Sequence, residues 1–249
     1  MPRGKLRHAA KVPLFSPKCP VSEKARDWVE TSVDWLRAEF GDTALFGEVL
    51  VPSSVLSLWS GSELTDAERV LELICARMDA PRASIDLRLT EDEADPSLGG
   101  TVPLASQWSG DAGHYRRDGD RFVVAVSRGE LRSPVSLTAT LAHEVGHVRL
   151  LGENRISPDQ YDQEQLTDLI TVVFGLGVFT ANAAFDYHQD STGWRTQRLG
   201  YLGEQLLGYA LAYVAHSRGE QAPAWAAHLD TNPRAYMKQG LRYLKARGS

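Results

Sequence analysis

The stretch SPVSLTATLAHEVGHVRLLG, from Ser133 to Gly152, decides how the rest of this chain is read. Ser133 is a helix N-cap residue, and Pro134 falls at the first helical position, where its missing amide proton costs nothing. The pattern predicts a helix running to about Leu151 and closed by Gly152. Just upstream, Phe122 to Val126 is an apolar run rich in valine, which reads as a strand. The long helix therefore leaves a strand end. Because a helix turns 100° per residue, His143 and His147 stand one above the other on one face, and their imidazoles are placed to share an ion. Glu144 lies on the neighbouring flank, where its carboxylate reaches a water at an open metal position without taking that position. A buried zinc ion with Glu144 as general base is the expectation.

A catalytic zinc site uses three protein ligands and keeps one position open, so a third ligand is sought downstream. Ser157-Pro158-Asp159-Gln160 repeats the helix start seen at Ser133, with Gln160 at the capping-box position, and predicts a second helix continuing through Asp168. The two helices form a hairpin. On the second, Glu164 and Asp168 are four apart and share a face: Glu164 is placed to ligate, and Asp168 to accept the remaining ring N–H of a ligand histidine and fix its tautomer. Asp168 as a direct ligand, and Glu153 in the place of Glu164, are the alternatives that the donor types leave open. The apolar run Leu169 to Ala181, with Gly175 and Gly177, is expected to pack closely on the ligand helix.

His143-Glu144-Val145-Gly146-His147 followed by Glu164 and Asp168 resembles the zincin metallopeptidases, in the glutamate-ligand (gluzincin) branch that includes the thermolysin-like enzymes. It is also similar to the ImmA/IrrE-like peptidases, intracellular enzymes in which a Glu followed four residues on by Asn or Asp comes after the HExxH helix. The resemblance covers about residues 120 to 185. It implies a zincin-like fold, a single Zn2+ held by His143, His147 and Glu164, hydrolysis of a peptide or protein substrate, and Glu144 as the catalytic residue. Metzincin peptidases carry their third ligand where Glu153 stands, but they need a Gly three residues after the second His, and that position is Leu150.

Towards the N-terminus, Ser22 and Gly41 bracket a helix whose apolar residues Trp28, Val29, Val33, Leu36 and Phe40 recur at helical spacing. Thr65-Asp66-Ala67-Glu68 has the form of a capping box and starts a helix that stops near Asp79. From Ser84 to Ser127 the period changes to two: Ile85, Leu87 and Leu89 alternate with polar residues, and Asp118-Gly119 marks a hairpin. Beyond the apolar run, helices are predicted from Leu199 to Ser217 and from Pro233 to Arg247. The fold class expected is α+β, helix-rich, with a small, largely antiparallel sheet before the HExxH helix and a helical C-terminal half. Residues 1–80 read as an N-terminal tail and helical extension, and 81–249 as the metal-binding domain, with one continuous domain as the alternative.

The 249-residue chain carries a formal charge of -5, which opposes a phosphate-backbone partner such as nucleic acid. Its only cysteines, Cys19 and Cys75, are too few for a disulfide framework, and the longest apolar run is too short to span a bilayer. A cytoplasmic protein without a membrane partner is the expectation. The donor that stabilises a tetrahedral intermediate should lie C-terminal to the ligands, and His188, Arg195, Tyr201 and Tyr209 are the candidates. Cys19 is considered as an inhibitory thiolate, and Phe122 to Val126 as a sheet edge for an extended substrate. The competing class is a non-enzymatic interaction or regulatory module that keeps its zinc site.

Overall fold

A computed structural model describes residues 17–61, 64–90, 113–184 and 202–248. Helix α1 (Glu23–Phe40) opens with the Ser22 hydroxyl accepting from the Ala25 amide at 3.3 Å and ends at Gly41, and it turns Val29, Val33 and Leu36 inward. The short helices α2 (Asp42–Phe46) and α3 (Pro52–Leu56) lead to α4 (Leu64–Met78). The expected capping box is not what starts α4. Thr65 already lies inside the first turn, whereas Asp66 is buried and accepts from the amides of Ser60 and Gly61 at 3.0 and 2.7 Å and from the Ser60 hydroxyl at 2.8 Å. Glu68 instead pairs with Arg82. The burial of the Asp66 carboxylate, which would raise its pKa, is outweighed by these hydrogen bonds, and the group stays below the usual carboxylate range.

Strands β1 (Ile85–Thr90), β2 (Gly113–Asp118) and β3 (Arg121–Ser127) make one sheet in the order β1-β3-β2. The hairpin at Asp118-Gly119 is present, with Asp118 paired to Arg121 across the two-residue loop. The sheet is mixed, which corrects the expectation of a largely antiparallel one: β3 pairs antiparallel with β2 but parallel with β1, Ile85 opposite Phe122 and Thr90 opposite Ser127. Strand β3 is therefore central and not an edge. Its apolar run lacks alternation because both of its faces are covered, and Phe122 to Ser127 are all buried.

Helix α5 (Pro134–His147) follows with the predicted cap, the Ser133 hydroxyl accepting from the Ser136 amide at 3.2 Å. Every residue from Leu137 to His147 is buried, so α5 is the axis around which the other elements pack. It continues as a single π-turn, Val148–Gly152, a wider helical turn often found beside functional sites. Ser157 to Gln160 makes a turn and not a helix start, with the Gln160 amide bonded to the Ser157 carbonyl. Helix α6 (Gln163–Val173) begins after Asp162, whose carboxylate accepts from the Trp28 indole at 2.8 Å and from the Gln160 side-chain Nε2 at 2.9 Å.

The apolar run is divided in two. Gly175, at φ +74°, breaks it between α6 and α7 (Gly177–Ala183), and an added Cβ there would lie 2.5 Å from the Glu48 carbonyl oxygen. Gly146 serves close approach: a Cβ on it would meet Thr167 Cγ2 at 3.0 Å and Ile170 Cγ2 at 3.1 Å, so α5 and α6 lie nearly backbone to backbone. Helices α8 (Glu204–Ser217) and α9 (Thr231–Arg247) pair with each other, and α8 also packs on α1, α6 and α7. Buried apolar side chains from Val29 in α1 to Leu244 in α9 belong to one hydrophobic cluster. Among the described residues, no helix is long and apolar enough to cross a membrane.

Candidate metal centre

The last turn of α5 and the first turn of α6 bring His143, His147 and Glu164 together, with one donor atom from each lying within 4.8 Å of the others. Nε2 of His143 is 3.2 Å from Glu164 Oε2, and Nε2 of His147 is 3.5 Å from the same oxygen. The two rings meet edge to face with centroids 4.7 Å apart. Among the described residues this is the one group of three or more His, Cys, Asp or Glu side chains that converge in this way. The turn forms because residues four apart on α5 overlie one another and because Gly146, between the histidines, lets α6 approach.

The far nitrogens are also held. Asp168 Oδ1 lies 2.9 Å from His143 Nδ1, while its Oδ2 accepts from the Leu202 amide at 2.8 Å, so the carboxylate is clamped between α5 and the segment entering α8. His147 Nδ1 is 3.4 Å from the Thr167 hydroxyl oxygen. That hydroxyl donates its single proton to the Gln163 carbonyl at 2.8 Å, so it can only accept from His147. With Nδ1 of each ring engaged on the far side, Nε2 of both imidazoles points at Glu164 Oε2, the orientation that a metal ligand requires.

The electrostatics follow from these distances. Burial alone would lower the pKa of His143, but the carboxylates of Asp168 and Glu164 at its two nitrogens outweigh burial and raise it well above the ordinary value. Burial alone would raise Glu164, and the two imidazoles outweigh that and hold it far below the usual carboxylate range. Side-chain exposure rises from 5% at Asp168, through 9% and 11% at His143 and His147, to 15% at Glu164, which puts the mouth of the site at the start of α6. Glu144 is buried next to His143. A divalent cation suits this donor set, since two imidazole nitrogens and a carboxylate oxygen converge where positive charge is favoured.

The other sequence candidates separate cleanly. Glu153 is not among the converging donors; its two oxygens accept from Arg149 at 2.5 Å and from Arg155 at 2.9 Å. Asp168 holds a ring nitrogen of His143 and is likewise outside the converging group. Tyr209 is fully buried and donates to Glu30 on α1 at 2.6 Å, so it ties α8 to α1 and is no donor at the site. Cys19 packs against the hydrophobic cluster and does not join the three donors. His188, Arg195 and Tyr201 lie outside the described residues.

Two residues at the site were not anticipated. Thr167 is one; a threonine four residues after a helical glutamine has an ordinary place bonding back to the helix carbonyl, and nothing local marks its second role. Tyr115 on β2 is the other: its ring stacks on His147, with centroids 5.8 Å apart and planes 24° apart, and on Phe122 at 5.9 Å. Burial pushes its hydroxyl up to about 12. No family model matches this chain, and no curated protein or solved structure shows significant similarity to it.

Proposed function

We propose that this protein is a zinc-dependent hydrolase of the zincin type, most simply a metallopeptidase, that acts in the cytoplasm on a peptide or protein substrate. The observation that carries the reading is the convergence of His143 Nε2, His147 Nε2 and a Glu164 oxygen beside the buried Glu144. Those three side chains would hold a zinc ion, which would supply a Lewis acid for a carbonyl oxygen and bring the pKa of bound water towards about 7. His143 and His147 offer Nε2 because Asp168 and Thr167 engage the opposite nitrogens. Glu144 takes a proton from the attacking water and delivers it to the leaving amine, which is work for a carboxylate one residue beyond a ligand, on the adjoining helix flank. Glu164, the most exposed of the set, stands at the side from which substrate approaches. Two free thiols, Cys19 and Cys75, accord with a reducing compartment.

The test is metal content per chain, by elemental analysis, for wild type, His147→Ala and Glu164→Ala proteins purified without added metal. The expected result is about one zinc in wild type and loss of it in both variants, as three-ligand sites require. A folded wild-type protein that takes up no zinc when zinc is supplied overturns the reading. Zinc bound by wild type without cleavage of any peptide in a diverse library, and with Glu144→Gln indistinguishable from wild type, favours the non-enzymatic module instead.

A further inference from the structure

We propose, resting on the zinc-dependent reading of the site, that Tyr115 is a positioning residue for the metal centre: the face of its ring, and not its hydroxyl, holds the plane of the His147 imidazole and keeps Nε2 turned towards Glu164. The two histidines differ in how they are anchored. Asp168 lies 2.9 Å from His143 Nδ1 and is itself fixed by the Leu202 amide at 2.8 Å, so a charged and immobilised partner sets that ring. The partner of His147 Nδ1 is the neutral Thr167 hydroxyl at 3.4 Å, beyond the roughly 2.7–3.2 Å of a well-made hydrogen bond. What fixes one ring is weak at the other.

Rotamer preference does not make up the difference. The last side-chain torsion of a histidine turns about an sp³–sp² bond whose minima are broad and roughly two-fold, so the backbone leaves the ring plane loosely set. Two aromatic neighbours touch the His147 ring. His143 meets it at an interplanar angle of 86°, whereas Tyr115 lies along it at 24° with centroids 5.8 Å apart. A near-parallel neighbour resists rotation, because turning the imidazole drives its edge into the facing ring, and close packing leaves no room for that.

The surrounding chain keeps Tyr115 in place. Tyr115 pairs with Val124 and Arg117 with Phe122 across β2 and β3, so Tyr115 and Phe122 are diagonal neighbours on one face of the sheet, with their rings stacked at 5.9 Å and 29°. Strand β2 packs on α5. Beyond His147 the π-turn Val148–Gly152 carries the chain round to the same two rings: a Cβ on Gly152 would lie 2.7 Å from Phe122 Cε1 and 3.2 Å from the Tyr115 hydroxyl oxygen. Any side chain at position 152 would therefore displace the pair. Tyr115 is wedged between Phe122 and His147, with its hydroxyl beside Gly152 at the far end of the turn.

The test compares the full chain as wild type, Tyr115→Phe, Tyr115→Leu and Tyr115→Met, with Leu207→Ala as a control that loosens the core elsewhere. Zinc affinity is measured by competition with a chromophoric chelator, and donor geometry by the visible spectrum of the cobalt(II)-loaded protein. Tyr115→Phe should match wild type in both. Tyr115→Leu and Tyr115→Met should bind zinc about 10- to 100-fold more weakly, with altered cobalt bands, as expected when a ligand histidine loses its support. Methionine fills irregular space without presenting a flat face, so it keeps the test open if the leucine variant does not fold. Leu207→Ala should retain the wild-type affinity and spectrum. Wild-type behaviour of both non-aromatic variants overturns the role of Tyr115, as does a Tyr115→Phe protein as weak as Tyr115→Leu, or an equal loss in Leu207→Ala. A folded wild type that takes up neither zinc nor cobalt instead overturns the metal reading itself, and the role of Tyr115 with it.

Discussion

The α5–α6 pair and the α8–α9 pair are both close helix pairs, yet they treat polar groups in opposite ways. Between α5 and α6 the chain buries His143, Glu144, His147, Thr167 and Asp168. Helices α8 and α9 meet through Gly208 against Tyr236 and Gly240 against Ala212 and the Tyr209 ring, and their charges stand at the rim, as in Arg247 with Glu30 at 2.7 Å. Burying a polar group costs free energy unless a partner replaces water. In the first pair that cost is met by a chain of directed contacts, Asp168 to His143, Thr167 to His147 and both rings to Glu164; in the second a single buried hydroxyl, that of Tyr209, is met by Glu30 on α1. The difference separates a part of the molecule organised around chemistry from one organised around cohesion, and it can be tested from either side.

The largest expected effect comes from Glu144→Gln, which keeps shape and removes the base. Peptide hydrolysis should fall by about 10²- to 10⁴-fold while zinc stays at the wild-type level, measured on the same preparation. Loss of zinc in that variant would instead make Glu144 part of the binding site and blur the division of roles. On the other pair, Leu207→Ala deletes a fully buried side chain and should lower unfolding stability by about 2–5 kcal/mol in a denaturant titration. Zinc affinity of the folded fraction should not change, and if it does, the two helix pairs are coupled.

Smaller effects are expected within the site. Asp168→Asn retains the shape but weakens the hold on His143 Nδ1, and should reduce zinc affinity by about 10- to 100-fold in competition with a chromophoric chelator. Thr167→Val removes the acceptor at His147 Nδ1, and since that contact is longer, 3.4 Å against 2.9 Å, its cost should be the smallest, about tenfold or less by the same assay. Equal losses in the two variants would mean that the two histidines are oriented by the packing around them and not by these partners. Tyr115→Leu provides the check on that alternative, because it removes the ring stacked on His147 and leaves both hydrogen bonds in place.

Much of this arrangement was readable along the chain, and the parts that were share a physical origin. The Ser22 and Ser133 caps, Pro134 at the first turn, the Asp118-Gly119 hairpin, and the facing pairs His143–His147 and Glu164–Asp168 are decided within one or two turns of backbone, where side chain and chain neighbour settle the matter alone. Even so, a serine-proline pair is an equally good turn and helix start, and Ser157-Pro158 became the turn because Asp162, tied to Trp28 on α1, is where α6 begins.

What tertiary structure alone decided lies between elements far apart in the sequence. Parallel pairing of β1 with β3 put β3 in the middle of the sheet, and the packing of β2 on α5 brings Tyr115 over His147. The Leu202 amide on Asp168, 34 positions away, and the packing of α8 on α9 are of the same kind. Periodicity and capping state which face of an element is apolar and where it starts; which partner covers that face is settled by packing over the whole core, and no local pattern carries it.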